Sequence, residues 1–258
     1  MSSVKHQKVM LQIHHITLSR QQLDVIPANE RRLLILLAHA ANELNILAKL
    51  FHFTAQASSE IPMLLLAENA QGLVVGRLLT GKIYEFWQLL QTSFFGSALS
   101  KTYQCQFDAE ALAALNALKH YFSRENIIAT VRNKFAFHYN PAQIDAGYEA
   151  LVEGDALEVY LAQHNVNSLY AFGDIIVGRA MLESINPTDH RAAFEMLIAQ
   201  TSEIVSHIDT VISQIMAICF KAYLGRDLYA LGAKIMEIEG APDSQEVAIP
   251  YFIEIGAK

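Results

Sequence analysis

Apolar residues recur at three- and four-residue steps over most of the chain, the rhythm of helices that bury one face. After Pro27, suited to a helix start, Ala28 to about Phe53 is apolar on most sides. His39, Asn42, Asn45, Lys49 and His52 form a polar stripe along it, which predicts a largely buried helix with one wet edge. Ser59 and Pro62 open a second helical region that continues from Gly72 to about Phe95 through Gly76 and Gly81. A glycine inside a helix costs roughly 1 kcal/mol, so the pattern predicts a kink or a close helix crossing there. Asp108 suits the N-cap of Ala109 to Tyr121, and Ser123 that of Arg124 to about His138. Pro141 disfavours helical geometry at Asn140, which ends the second of these near His138. The histidine then stands at a helix terminus, where a side chain can turn toward a cleft. Ala142 to Val152 reads as a further helix.

Past Gly154 the rhythm changes. Leu157, Val159 and Leu161 alternate with Glu158 and Tyr160, Asn165-Val166-Asn167 supplies turn residues, and Ser168 to Phe172 is strand-like, so a hairpin is expected. Helices return with Asp174 to Ile185, and Pro187-Thr188 introduces a long one from Asp189 to about Tyr223. Val247, Ile249, Tyr251, Ile253 and Ile255 alternate like an edge strand carrying Pro250. A lone hairpin is marginal, so this tail is expected to pair with it. The expected fold is mainly α in a single domain over 1–258: a helical core at about 28–153 plus the long helix at about 189–223. A small antiparallel β addition is expected in the C-terminal half, at about 156–172 and 246–255. There is no internal repeat, low-complexity tract or clear linker.

Composition narrows the class without naming a function. A chain of 258 residues, 52% hydrophobic and 17% charged, can bury a substantial core without disulfides or a structural metal. The two cysteines, Cys105 and Cys219, are far apart and in no Cys-x-x-Cys spacing, against a secreted disulfide framework or a thiolate metal site. Lys5, His6, Lys8, His14 and His15 interrupt any apolar signal-peptide core at the amino end. The most apolar runs, Leu33 to Leu37 and Met63 to Ala67, fall far short of the roughly 18 to 20 residues needed to cross a bilayer. These features lead to the expectation of a cytoplasmic protein with no membrane partner.

The formal charge of −7 argues against a generic nucleic-acid coat. From Arg77 to Lys134, however, seven basic residues stand against four acidic ones, a local +3. This is compatible with a phosphate-facing patch and equally with a solvated helical surface. Inside it lies Arg132-Asn133-Lys134-Phe135-Ala136-Phe137-His138, the one segment that suggests a chemistry. Arginine supplies a permanent fork for phosphate and histidine a proton carrier near neutral pH, a pair able to cleave phosphodiesters without metal.

Val131 to Tyr139, ending a helix in a mainly helical protein, resembles the Arg-(Asn/Asp/His)-x-x-x-x-His signature of the HEPN superfamily. Those are helical-bundle proteins of prokaryotic defence, toxin–antitoxin and RNA-processing systems, many of them metal-independent ribonucleases acting as dimers. The likeness covers about 28–153 plus the long later helix; the hairpin and the tail after Gly225 have no counterpart in a minimal domain of that kind. It implies an HEPN-like bundle with no cofactor and no metal, acting on RNA as a homodimer, with an antitoxin or other protein as a further partner. Arg132 would brace the phosphate, His138 would move the proton, and Asn133 would orient one or the other. Lys134, Tyr139 and Glu43 are candidate binding residues, Glu43 as an orienting carboxylate.

Each of these residues also has a plain structural role open to it. Val131, Phe135 and Phe137 suit a core, Arg132 and Lys134 solvent, and His138 the capping of the last carbonyls. His39, Asn42 and Glu43 lie within one turn and suit a satisfied polar notch. His14 and His15 with His6 make no convincing metal site, because adjacent histidines point in different directions. Tyr84, Phe86, Trp87, Phe94 and Phe95 suit a core better than base stacking. No Walker loop, Gly-x-Gly-x-x-Gly or Gly-x-Ser-x-Gly occurs. Two classes stay open: a defence-type ribonuclease working through Arg132 and His138, and a non-catalytic helical binding or dimerisation module.

Overall fold

The computed structural model describes residues 10–56, 58–137, 140–232 and 234–256. In chain order the described elements begin with a strand β1 (Met10–His15), a short helix α1 (Arg20–Asp24), and two long helices, α2 (Ala28–Thr54) and α3 (Pro62–Leu89). Then come α4 (Leu99–Gln104), α5 (Ala109–Phe122), α6 (Ile127–Val131) and α7 (Pro141–Glu149). The last are α8 (Ala171–Ile185), the long α9 (His190–Leu224) and a second strand β2 (Lys234–Glu239). Two stretches widen into π-helix, Leu90–Phe95 after α3 and Arg132–Ala136 after α6.

The caps explain most of the boundaries. Asp108 Oδ1 accepts from the Ala111 amide at 2.8 Å and starts α5, and Asp189 Oδ1 accepts from Ala192 at 2.9 Å and starts α9. Gly225 ends α9 with φ of 67°, a left-handed cap that glycine adopts without a Cβ clash. The polar stripe on α2 is exposed at His39, Asn42, Asn45, Lys49 and His52, while Leu33, Leu37, Leu44 and Phe51 are buried on the other side. The helical glycines mark a close crossing of α2 and α3. A Cβ on Gly72 would stand 3.0 Å from the Thr54 carbonyl oxygen, and one on Gly76 would stand 2.8 Å from the Phe51 ring.

One large cluster forms the main core, drawing Leu37 from α2, Ile83 from α3, Leu115 from α5, Val131 from α6, Met181 from α8 and Ile208 from α9. Trp87, Phe86 and Phe94 belong to it, Trp87 stacked on Phe122 at 4.8 Å, so these aromatics pack the interior. The Glu30 carboxylate ties three elements together, accepting from the Tyr103 hydroxyl after α4 has begun and, at 2.5 Å, from the Tyr223 hydroxyl near the end of α9. By length and composition α2 and α9 would each suffice to cross a membrane; half of the relevant α9 window is buried within the protein.

The β structure lies elsewhere than the alternation predicts. The 157–172 segment contributes one isolated bridge, Tyr160 to Leu169, closed by a 3-10 turn at Asn165–Asn167, and Ala171 already begins α8. The 247–255 tail forms no strand. It does meet that segment, but through side chains: Asn167 Nδ2 donates to the Ile253 carbonyl at 2.7 Å, and the Tyr251 hydroxyl donates to the Ser168 carbonyl at 2.9 Å. Pro250 lacks the amide a ladder needs. The two-stranded sheet is instead β1 against β2, antiparallel from Met10 opposite Glu239 to His15 opposite Lys234, with every residue exposed.

Candidate functional site

The motif segment begins one cap later than the sequence predicts. Ser123 closes α5, its amide donating to Lys119, and it is Asn126 that starts α6, its Oδ1 accepting from Ala129 at 2.8 Å. Ile128 and Val131 then anchor α6 in the core. From Arg132 to Ala136 the chain adopts the wider π turn, which inserts an extra residue and offsets all that follows from α-helical spacing. Phe135 is buried, whereas Asn133, Lys134 and Phe137 are exposed. His138 and Tyr139 lie outside the described residues. Asn140 follows as the N-cap of α7, accepting from Ala142 at 3.1 Å, with Pro141 in the first turn.

Arg132 is held on three sides. Its Nη2 donates to Glu85 Oε1 at 2.7 Å, its Nη1 donates to Asn133 Oδ1 at 3.1 Å, and its guanidinium carbon sits 5.0 Å from the centre of the Tyr84 ring. The Nε–H is buried with no hydrogen-bond partner among the described residues. The side chain keeps 29% exposure, so part of it stays at the surface beside Glu85 and Asn133. Glu43 is engaged separately: Lys82 Nζ donates to its Oε1 at 2.6 Å, and His39 Nε2 lies 3.8 Å from its Oε2. Lys82 and Glu85 are three residues apart on α3, so the two ion pairs occupy one side of that helix.

Lys134 leads in a different direction. With Phe137 and Asn140 it lines a cleft of about 760 Å³ between α3, the motif segment, α7 and α8. Arg77 from α3 and Asp174 and Tyr170 from around the start of α8 also line it. Burial lifts the Asp174 carboxyl above the usual carboxylate range, and the Arg77 charge pulls it the other way. Phe137 and Tyr170 expose 47% and 59% of their surface, so both rings are open to a ligand. Gly81 makes room for the first of them, since a Cβ there would stand 2.4 Å from the Phe137 ring.

The arrangement therefore brings Arg132 and Asn133 together, puts Lys134 on a neighbouring cleft whose lining omits Arg132, and leaves Glu43 in an ion pair of its own. Sequence reasoning missed Glu85 and Tyr84 as the partners of Arg132, and Arg77, Asp174 and Tyr170 as cleft residues. The only available signal was weak: Asp174 reads simply as an acidic residue of a helix's first turn, and Glu85 is separated from Arg132 by 47 positions. Among the described residues no group of three or more His, Cys, Asp or Glu side chains is placed to hold a metal ion. Comparison with family models, with curated proteins and with solved structures finds no match.

Proposed function

We propose that the chain is a metal-independent endoribonuclease working at the end of the Arg132–Ala136 π-helix. The single observation that carries this reading is where that π turn falls: it covers five consecutive residues of the one segment whose side chains suit phosphodiester cleavage. Such turns are rare and recur at functional sites. The exposed Lys134 and the aromatic rims of the adjoining cleft support it, because phosphates and unpaired bases are held by these two kinds of group.

In the proposed reaction His138 takes the proton of a ribose 2′-hydroxyl while water protonates the departing 5′-oxygen, or His138 protonates that oxygen while water takes the 2′-hydroxyl proton. Attack of the 2′-oxygen on phosphorus breaks the bond to the 5′-oxygen and leaves a 2′,3′-cyclic phosphate and a 5′-hydroxyl. The exposed part of the Arg132 guanidinium meets the non-bridging oxygens as charge accumulates. Glu85 and Tyr84 hold the guanidinium in place, and Asn133 shares it. DNA lacks the nucleophile and stays intact. The resemblance to HEPN proteins supports a homodimer and a role in prokaryotic defence or toxin–antitoxin systems, with an antitoxin as partner.

The second reading is a non-catalytic binding module, and the engagement of Arg132 by Glu85 favours it, since a phosphate must share or displace that carboxylate. Incubation of the purified protein with total RNA in the presence of a chelator separates the two. Fragments ending in a 2′,3′-cyclic phosphate are expected. RNA left intact both with and without added divalent metal would leave only the binding module.

A further inference from the structure

A second cleft, of about 940 Å³, opens between α2, the first turn of α5 and α9, away from the motif segment. Its floor is apolar, from Phe51, Leu79 and Val205, all buried. Its α9 wall is polar, with Ser202, Ser206, Asp209 and Ser213 recurring at steps of four, three and four along one face. Among the described residues its lining contains no lysine or arginine and His52 is its one basic side chain, whose Nε2 lies 3.1 Å from Gln56 Nε2.

Of the carboxylates on the cleft, Asp108 is already committed to capping α5, and Glu110 stands exposed in that helix's first turn. Asp209 is different. It is half-buried, and no described residue gives it a hydrogen bond or an ion pair. A carboxylate withdrawn from water with no partner is destabilising, and a cation seated in the cleft would relieve that. The lack of any three-ligand group among the described residues points away from a metal ion. The apolar floor points away from a fully hydrated cation and toward one carried on an apolar body, the usual composition of a small-molecule site.

We propose that this cleft binds a small amphipathic amine, its ammonium on Asp209 beside the Ser206 and Ser213 hydroxyls and its apolar body against Phe51 and Val205. The inference is independent of the ribonuclease reading and uses none of its residues. The ammonium has three donors, which suits one carboxylate flanked by hydroxyl oxygens.

Isothermal titration tests it with tryptamine, with indole-3-propionate as the anionic counterpart and spermidine as a cation lacking the apolar body. Tryptamine is expected to bind, and the other two to bind at least about tenfold more weakly, the range that one charge-assisted contact supplies. Asp209→Asn should weaken tryptamine by about tenfold or more. It should also raise the melting temperature of the unliganded protein, which confirms that the variant is folded. Ser206→Trp, filling the cleft from its exposed wall, should abolish binding while leaving the fold intact. The proposal is overturned if tryptamine gives no binding at millimolar concentration, if indole-3-propionate or spermidine binds equally well, or if Asp209→Asn or Ser206→Trp binds tryptamine as tightly as the parent protein.

Discussion

The guanidinium of Arg132 lies against Glu85 and over Tyr84, so its removal touches stability as well as any chemistry. Glu85 is half exposed, which limits the ion pair to about 0.5–1 kcal/mol. The ring contact adds a comparable about 0.5–1 kcal/mol. Arg132→Ala should therefore cost about 1–2 kcal/mol, more than an unattached surface residue. A double-mutant cycle with Glu85→Gln, read by urea denaturation, should return a coupling of about 0.5–1 kcal/mol; additivity would mean that the pair does not hold the arginine. Burial raises the carboxyls of Asp174 and Asp209, so their contribution to stability is complete below the unfolded value of about 3.9 and is lost as pH rises through the folded value. Asp155 has the opposite sign. The Val152 amide and then Arg179 hold its carboxyl low, and its contribution is lost as pH falls through the folded value. Denaturation midpoints of Asp209→Asn should accordingly fall less steeply with pH above about 4 than those of the parent. An unchanged slope would show that the carboxyl is well solvated. None of these pairings could be read from the chain alone, since Arg132 and Glu85, or Asp155 and Arg179, meet only once the helices are packed.

Element by element, legibility followed the strength of local signals. The periodic runs and acidic caps placed α2, α5 and α9 to within a residue or two, because a helix is specified by its own side chains. Asn126 was overlooked in favour of Ser123, two residues that cap equally well by type; only the 3.1 Å bond from Ser123 back to Lys119 marks it as an end. Asn126→Ala should cost about 1 kcal/mol and fray α6 under the motif, visible as faster amide exchange at Ala129. Strands need a partner, and alternation cannot reveal it. The 157–161 run alternates yet reaches only one isolated bridge and the 247–255 run forms no strand, while Met10–His15 finds Lys234–Glu239 across 219 or more positions. The glycines of α3 signalled a close crossing, and Gly81 proved to serve the motif segment itself. Gly81→Val should push the exposed Phe137 ring aside, reducing RNA cleavage several-fold while shifting the melting temperature by only a few degrees. Unaltered cleavage would separate the Phe137 ring from the site.

For the whole molecule, the central proposal is RNA cleavage by Arg132 and His138, and helix geometry limits how the two can meet at one phosphate. On a regular α-helix, residues six apart point about 120° from each other, so one undistorted helix cannot aim both at one phosphate. The π turn from Arg132 to Ala136 breaks that regularity within a chain. A second copy facing the first across a two-fold axis offers the other solution. Light scattering should show a dimer, and mixing inactive Arg132→Ala with inactive His138→Ala should restore part of the activity if each site draws on both subunits. A strict monomer at micromolar concentration would contradict the shared site. The most direct measurement compares cleavage rates of the parent, Arg132→Ala and His138→Ala on one RNA oligonucleotide and its 2′-deoxy counterpart, all in chelator. The expected result is cleavage of RNA alone, with a loss of about 10² to 10⁴ in His138→Ala and a comparably large loss in Arg132→Ala. Retention of half the rate by either variant, or equal cleavage of the deoxy strand, would contradict the account.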